Sequence, residues 1–307
     1  MIEFYFRSLQ DENLKKIDKF RKGCLIYCFE PNDDDLLYLE KELGLDQNLL
    51  KDGLDLYEIP RIEKEKEKIY IFLRIPSLKL KEIFTTTLLV VISEDFFLIF
   101  SRYKNNFIDK FISENKISIV TTQKTKLFIQ LLSIIYENFN VLILKINKEV
   151  RRIAFETSEV NEEEIRKIIR WEIILQDFLD ALVVDKVIFN TILKQEYLKL
   201  FTYDRELIED LFLKVEQLEE VANTSIKNIA NIRSGYESIF TNYVNKILKV
   251  LTFFTILLSI PTMITSFFGM NLKLPLESNP YASFLVILIS FFLMSILFLI
   301  FKVKKWL

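Results

Sequence analysis

Two long segments without a single charged residue lie near the C-terminal end of the chain, and they constrain its fold more than any other feature. They cover residues 250–268 and 281–301. An α-helix needs about 20 apolar residues to cross a bilayer core of ~30 Å. Both segments reach that length, so the sequence predicts two transmembrane helices joined by a short loop.

The composition shows that the rest of the chain is different in kind. Of the 307 residues of the whole chain, 27% are charged, although the mean hydropathy is positive. A charged soluble part joined to short, strongly apolar segments accounts for both the charged fraction and the positive mean hydropathy. Residues 1–7 lack the basic start, apolar run and small-residue cleavage site of a signal peptide. We therefore expect the first large domain to lie in the cytoplasm.

Cationic residues mark both outer ends of the apolar pair. Lysines precede the first segment and follow the second one: Lys246, Lys249, Lys302, Lys304 and Lys305. The loop between the segments contains only Lys273 and Glu277 as charged residues. Because cationic residues beside membrane segments favour the cytoplasmic side, the sequence predicts a multi-pass protein of the inner (plasma) membrane with both termini in the cytoplasm.

The composition also excludes several classes of protein. The chain has no histidine, which removes Ser-His-Asp and Cys-His catalysis and imidazole zinc ligation. Its only cysteines, Cys24 and Cys28, fall in a strand-like apolar run that is typical of a buried core. The net charge of −2 gives no general electrostatic reason to bind nucleic acid. We expect no enzymatic activity and no cofactor.

The soluble part divides into two zones before the membrane segments. Residues 1–120 alternate strand-like runs, at 2–6, 24–29, 68–75, 85–92 and 96–101, with a helical pattern over 35–43. This mixture predicts a cytoplasmic α/β domain. Residues 121–200 contain no glycine or proline and repeat apolar residues at helical spacing, which predicts a long antiparallel helical hairpin.

The turn of that hairpin, residues 156–164, is rich in glutamate. Such a tip can attract cations. More often such a run is a solvated helix start, because carboxylates are favoured at the positive end of the helix dipole.

A single stalk helix is predicted from residue 201 to 268, where it becomes the first transmembrane helix. Helix-forming residues continue throughout this range, interrupted only by Gly235 and Pro261. At ~1.5 Å per residue the helix would extend on the order of 90 Å, and a helix of that length needs partners, which favours an oligomer. An outer loop at 269–280, a second transmembrane helix at 281–301 and a basic cytoplasmic tail at 302–307 complete the predicted organisation.

Small hydroxyl residues form a stripe in the first membrane segment. Thr255, Ser259, Thr262 and Ser266 are spaced by four, three and four residues and share one helix face. The same rule extends the stripe inward to Leu251, Leu248 and Asn245, and outward to a turn at Gly269, Met270 and Asn271. Such a stripe is either a helix–helix contact or the wall of a water-filled pore.

The chemistry of the stripe limits how an ion would be bound. No acidic residue lies in it, so an ion would be held weakly and through its water shell. Mg²⁺ keeps its inner waters tightly. A ring of carboxamide and hydroxyl oxygens can bind the hydrated ion from outside, and several subunits around an axis are needed to build that ring.

The residues around this stripe match a known family. Phe268-Gly269-Met270-Asn271 follows the first of two C-terminal spans, Pro261-Thr262 precedes it, and the chain ends in Lys304-Lys305-Trp306-Leu307. The chain thus resembles the CorA-type Mg²⁺ transporters. The resemblance implies an α+β membrane protein that assembles as a funnel-shaped homopentamer, with two transmembrane helices per subunit and the first helices lining the pore.

The resemblance also implies residue roles. Gly269, Met270 and Asn271 would form the selectivity filter, with Asn245, Thr255, Ser259, Thr262 and Ser266 lining the pore. Leu248 and Leu251 would form a hydrophobic gate, and Asp210 would join a regulatory Mg²⁺ site between subunits. Two features depart from the family: Phe268 replaces the usual Tyr, and the outer proline and acid are displaced to Pro275 and Glu277.

The expected function is passive Mg²⁺ uptake through a pentameric pore, driven by the membrane potential and gated by cytoplasmic Mg²⁺. Relatives in the superfamily move Co²⁺, Ni²⁺ or Zn²⁺, which is the first alternative. The absence of histidine and cysteine from the predicted pore favours Mg²⁺ over softer metals. A membrane-anchored structural or sensor protein without a pore is the alternative from another class.

Overall fold

The computed structural model describes residues 1–79, 82–114, 119–156, 162–270 and 280–304. The chain divides into two compact units, Met1–Asn231 and Ile232–Leu307.

The first unit is built on a seven-stranded mixed sheet with the strand order β2-β1-β3-β7-β6-β5-β4. Its strands are β1 (Ile2–Phe6), β2 (Lys15–Ile17), β3 (Cys24–Phe29), β4 (Arg61–Glu65), β5 (Lys68–Lys79), β6 (Glu82–Ile92) and β7 (Phe96–Ser101). The central pair β3 and β7 is parallel, and the other pairs are antiparallel. Both central strands are buried along their whole length, which explains their unbroken apolar sequences.

Two short helices cover one face of the sheet. They are α1 (Asp33–Lys41) and α2 (Gln47–Asp52). Asn32 and Asp35 form a reciprocal capping box at the start of α1. This cap explains why the helix begins two residues earlier than the predicted range 35–43; the helix also ends two residues earlier, at Lys41. Leu39 and Leu50 are among the residues that pack into the core on this face.

A long helical hairpin contacts the sheet of the same unit and is joined by a shorter helix. The helices are α3 (Asn106–Ser113), α4 (Lys124–Glu156) and α5 (Glu162–Leu193). An aromatic group, Tyr136, Phe139, Phe178 and Phe189, joins α4 to α5 with ring centroids 5.1–6.1 Å apart. The turn expected at 156–164 falls largely outside the described residues.

The next helix, α6 (Thr202–Phe268), contributes to both units. In the first unit its buried residues recur at heptad spacing: Ile208, Leu211, Val215, Leu218, Ala222, Ser225 and Ile229. Phe212 contacts Phe189 of α5 with ring centroids 6.2 Å apart, and Lys214 pairs with Glu137 of α4 at 2.6 Å. The first part of α6 therefore packs against the hairpin.

The second unit contains the rest of α6 and a final helix, α7 (Ala282–Val303). Phe253 is only 3% exposed, and its ring lies 6.0 Å from that of Phe298 and 5.3 Å from that of Phe301. These aromatic contacts join α6 to α7.

Within the described residues, three helices are long and apolar enough to cross a membrane: α4, α6 and α7. Half of the apolar stretch of α4 is buried, against 6% for α6 and 11% for α7. The buried side chains of α4 belong to the core of the first unit, so its apolar character is explained without a membrane.

The predicted fold class is confirmed in its N-terminal α/β domain, its long helices and its apolar helices. Four short elements were not predicted: β2, β4, α2 and α3. Strand β4 reads Arg-Ile-Glu-Lys-Glu, and a sheet-edge strand of this kind carries little apolar signal.

Candidate functional site

The side of α6 that is not buried carries a long series of polar residues. With Ile208 taken as position a of a heptad, positions c and f are all exposed. They are Asp210, Leu213, Gln217, Glu220, Thr224, Lys227, Asn231, Ser234, Ser238, Thr241, Asn245, Leu248, Thr252, Thr255, Ser259, Thr262 and Ser266. Only the two leucines are apolar. We call this series the polar stripe of α6.

The polar stripe contains most of the predicted pore residues and continues beyond them along α6. Asn245, Leu248 and the four hydroxyl residues from Thr255 to Ser266 fall on it, whereas Leu251 lies beside it at position b. Sequence reasoning missed Thr252 and every member between Leu213 and Thr241. The heptad spacing of the buried residues would have found them, because it fixes which positions face away from the core.

Hydrogen bonding within α6 fixes what the stripe hydroxyls can do. The hydroxyl of Thr255 donates to the carbonyl oxygen of Leu251 at 2.9 Å, that of Ser259 to Ile256 at 2.8 Å, and that of Thr262 to Leu258 at 3.0 Å. Because each hydroxyl proton is used by the backbone, the free lone pairs are left as acceptors. The exposed surface of these side chains therefore accepts hydrogen bonds.

A hydrated metal ion needs surfaces of this kind. Water bound to a cation turns its oxygen inward and its hydrogens outward, so the outer side of the hydration shell consists of donors. Acceptors that carry no full charge can bind those donors without displacing water from the metal. This chemistry fits Mg²⁺, which dehydrates reluctantly.

The C-terminal end of α6 is tightly wound at Gly269. The Gly269 N–H donates to the carbonyl oxygen of Thr265 at 2.9 Å, and that of Met270 to Phe267 at 3.4 Å. A Cβ at position 269 would lie 3.2 Å from the Thr265 carbonyl oxygen. Glycine therefore permits a close approach of the backbone. Asn271, Lys273, Pro275 and Glu277 lie outside the described residues.

Pro261 lies inside α6, where it lacks an N–H for the helical hydrogen bond. The hydroxyl of Thr265 donates back to the Pro261 carbonyl oxygen at 2.8 Å. The helix continues through the proline, and the stripe hydroxyls on either side keep their heptad spacing.

Asp210 is an exposed member of the polar stripe in the first unit. Within the part of the chain that the structure describes, no group of three or more acidic or cysteine side chains is placed to hold a metal ion. A regulatory metal site that includes Asp210 therefore needs ligands beyond those that one described chain brings together.

Comparison with known proteins gives a consistent result over nearly the whole chain. Residues 23–305 match the profile of the CorA-like Mg²⁺ transporter protein family. The chain is 28% identical, over 288 residues, to the cobalt/magnesium transport protein CorA of Methanocaldococcus jannaschii, and the match covers 92% of this chain and 90% of that protein.

Two solved structures extend the comparison to the fold. The complete structure of the CorA magnesium transporter from Methanocaldococcus jannaschii matches with a TM-score of 0.85 at 25% identity, covering 100% of this chain and 99% of that one. The soluble domain of CorA from the same organism matches with a TM-score of 0.68 at 24% identity, covering 76% of this chain and 95% of that one. The second likeness concerns the fold alone.

Proposed function

Because the chain belongs to the CorA-like Mg²⁺ transporter family, we propose that it forms a pore through which Mg²⁺ enters the cell passively. The family is one of membrane transporters of divalent cations, not of enzymes. The pore, its subunit number and its gating are the parts that we propose for this chain.

The observation that carries the proposal is the polar stripe of α6. Five hydroxyl residues of the stripe, from Thr252 to Ser266, are exposed within an otherwise largely apolar segment, and one further exposed hydroxyl residue, Thr265, lies off the stripe. Polar side chains in a membrane helix face a water-filled cavity or another helix, because lipid cannot satisfy them. The inward hydrogen bonds of Thr255, Ser259 and Thr262 leave acceptors on the exposed side, which water in such a cavity could use.

A pore requires several copies of the chain, because α6 and α7 of one subunit cannot enclose a channel. We propose a homopentamer, the assembly that the family resemblance implies. Large apolar side chains on α6 before the membrane segment support an assembly: Ile239 is 58%, Phe240 62% and Tyr243 63% exposed in the single chain. Clustered exposed apolar side chains of this kind are expected at an interaction site.

We propose that selectivity and gating lie at opposite ends of the membrane segment. Gly269, Met270 and Asn271 of each subunit would form the outer filter, where carboxamide oxygens recognise the hydrated ion. Leu248 and Leu251 would form an inner hydrophobic constriction that closes by losing its water. In one subunit these leucines are 50% and 60% exposed, which leaves them available to line such a constriction.

The membrane potential supplies the driving force in this proposal. A divalent cation that moves inward gains roughly 4.6 kcal/mol per 100 mV, twice the value for one charge. Both termini would lie in the cytoplasm, and the protein would span the inner membrane through α6 and α7. Cytoplasmic Mg²⁺ bound between subunits at Asp210 would hold the pore closed.

A Co²⁺ transporter is the second candidate. The name of the curated relative, a cobalt/magnesium transport protein, favours it over Ni²⁺ or Zn²⁺. A non-conducting sensor or structural role is the remaining alternative, and it predicts that the stripe hydroxyls tolerate apolar substitution.

The test is ion flux into liposomes that contain the purified full-length chain. We expect Mg²⁺ entry driven by an inside-negative potential, and competition among Mg²⁺, Co²⁺, Ni²⁺ and Zn²⁺ identifies the preferred ion. Asn271→Ala should abolish selective entry. Absence of flux in the unaltered protein would contradict the pore, and unchanged selectivity in the variant would contradict the filter.

A further inference from the structure

Asp185 on α5 is the one carboxylate among the described residues that is completely buried, with 0% of its surface exposed. It lies in the first unit, where α5 contacts both α4 and the sheet. The predicted transport pathway makes no use of it, so its burial requires a separate explanation.

Two hydrogen bonds connect Asp185 to neighbouring elements. The Tyr136 hydroxyl of α4 donates to Oδ2 at 3.1 Å. The backbone N–H of Arg74 in β5 donates to Oδ1 at 3.4 Å. Arg74 lies two residues beyond Phe72, the last residue of β5 that pairs with β4. The carboxyl group therefore connects α5 to α4 and to the part of β5 that extends beyond its pairing with β4.

The charged side chains around Asp185 are engaged elsewhere. The Arg74 guanidinium donates to the Thr85 hydroxyl, and Lys186, the next residue on α5, pairs with Glu219 of α6. On α4, Glu137 follows Tyr136 and pairs with Lys214. On α5, the pKa of Asp177 is raised, chiefly by desolvation. In the described part of the chain, no ammonium or guanidinium group forms an ion pair with Asp185.

This environment disfavours the ionised carboxylate. A buried charge without a cationic partner is costly, and two weak donors do not replace its lost hydration. Burial raises the pKa of Asp185 to about 8, and the hydrogen bonds from Arg74 and Tyr136, together with the nearby positive charge of Arg74, offset only part of this effect. The neutral acid can instead share one hydrogen bond with the Tyr136 hydroxyl, in which either oxygen is the donor.

We propose that Asp185 is a proton-binding site, through which cytoplasmic pH controls how tightly the α4–α5 hairpin packs against the sheet. The proton is exchanged with solvent water and no other bond changes. When the proton is lost above neutral pH, a negative charge appears in the core and the junction of α5 with α4 and β5 loosens. When it is bound, the three elements are joined by neutral hydrogen bonds.

Unused hydrogen-bonding groups beside this junction support the proposal. Thr86 and Thr87 of β6 have buried hydroxyl oxygens without a hydrogen-bond partner among the described atoms. Thr87 pairs with Arg74 and Thr86 with Ile75 in the strand register. Unsatisfied buried hydroxyls are uncommon in an apolar core. Because neighbouring residues of a strand face opposite sides of the sheet, at most one of these two hydroxyls can lie on the α5 side and act as a donor to an ionised Asp185.

Contacts between α5 and α6 can couple the protonation of Asp185 to transport; this coupling rests on the proposed function. One residue away from Asp185, Lys186 pairs with Glu219 of α6, and Phe189 contacts Phe212 of α6. Helix α6 is also the helix that carries the proposed pore residues. A change in the position of α5 would therefore alter α6, and Mg²⁺ flux would depend on internal pH.

Infrared difference spectroscopy of the full-length protein tests the proton site without any measurement of transport. A protonated carboxylic acid has a carbonyl band that the carboxylate lacks. We expect such a band near neutral pH, its loss in alkaline buffer, and its absence in Asp185→Asn. Asp180→Asn, an exposed position on the same helix, and Asp177→Asn should both retain it. A band that persists in Asp185→Asn, or one that titrates in the ordinary carboxyl range, would overturn the proposal.

Two further measurements distinguish a variant that does not fold, a wrong assignment of the proton site and a failure of the transport proposal. If Asp185→Asn does not fold, Tyr136→Phe removes one donor to the carboxylate and should move the titration midpoint to higher pH. An unchanged midpoint would count against the assignment. In liposomes, wild-type flux should change severalfold across the same pH range, and that of Asp185→Asn should not. If the band titrates but no flux occurs, the proton site stands and the transport proposal fails.

Discussion

The ring of Phe253 on α6 lies 5.3 Å, centroid to centroid, from the ring of Phe301 on α7. Phe298, one turn earlier on α7, lies 6.0 Å from the same ring. Phe253 is the one position of α6 in the second unit that is buried among the described residues, with 3% exposure. The packing of the two apolar helices therefore depends on this side chain more than on its neighbours.

We predict that Phe253→Ala lowers the thermal stability of the detergent-solubilised protein. Removal of a buried aromatic side chain typically costs about 3–5 kcal/mol, because contacts are lost and a cavity remains. Phe292→Ala is the matched control, since Phe292 on α7 is 62% exposed. Equal melting temperatures for the two variants would show that the Phe253 contacts do not hold the helices together.

The orientation of the stripe hydroxyls leads to a second prediction. Ser259 on α6 and Ser295 on α7 are both exposed, and both donate to a backbone carbonyl oxygen of their own helix, at 2.8 Å and 2.9 Å. Only Ser259 belongs to the polar stripe. Since one hydrogen bond contributes about 1 kcal/mol, Ser259→Ala should reduce Mg²⁺ flux about fivefold or more.

Ser295→Ala should leave that flux unchanged, because its hydroxyl is not expected to face the pore. Flux into liposomes, normalised to the amount of reconstituted protein, checks both variants. If the two serine variants conduct equally well, the polar stripe is a helix contact and not a pore wall.

Gly269 and Gly235 provide a third, paired test. A Cβ at Gly269 would lie 3.2 Å from the Thr265 carbonyl oxygen, whereas a Cβ at Gly235 meets nothing within 4 Å. Gly269→Ala should therefore disturb the end of α6 and reduce flux. Gly235→Ala should conduct normally and raise helix stability by up to about 1 kcal/mol, because alanine is the better helix former. Normal flux in Gly269→Ala would mean that the close approach of the backbone is not needed for conduction.

Local sequence patterns were sufficient to predict the long elements of this fold. The helices of the hairpin and α6 are long enough for their helical spacing to be reliable, and the unbroken apolar runs of β3 and β7, bounded by turn residues, predicted buried strands. Strand β4 and helix α3 are short and could not be predicted in the same way. Arg61 in β4 contacts Asp52, Glu58 and Glu63, so its strand is fixed by contacts between segments and not by an apolar pattern.

The candidate site was predictable where it is helical. The spacing of Thr255 and Ser259 is enough to predict that they share one helix face, and the structure adds the direction of their hydrogen bonds. The burial of Asp185 could not be predicted, because an aspartate within a helical pattern is ordinarily exposed. Its partners, Tyr136 and Arg74, are 49 and 111 residues away in the sequence.

Asp185 gives the last prediction, which concerns stability and pH. In the unfolded chain an aspartate has a pKa of about 3.9. In the folded protein burial raises the pKa of Asp185 to about 8. Between these values the folded state holds a proton that the unfolded state has released, so the free energy of unfolding falls as pH rises and levels off above about pH 8. One such group contributes a slope of about 1.4 kcal/mol per pH unit.

Melting temperatures measured at a series of pH values check this slope. The melting temperature of Asp185→Asn should vary less with pH than that of the wild type, and it should be higher on the alkaline side. Asparagine keeps an acceptor for the Arg74 N–H without becoming charged. Asp180→Asn, the exposed control on α5, should follow the wild-type curve. A wild-type slope that survives in Asp185→Asn would assign the pH dependence to another group, since removal of the only fully buried carboxylate of the described chain must remove its share of the linkage.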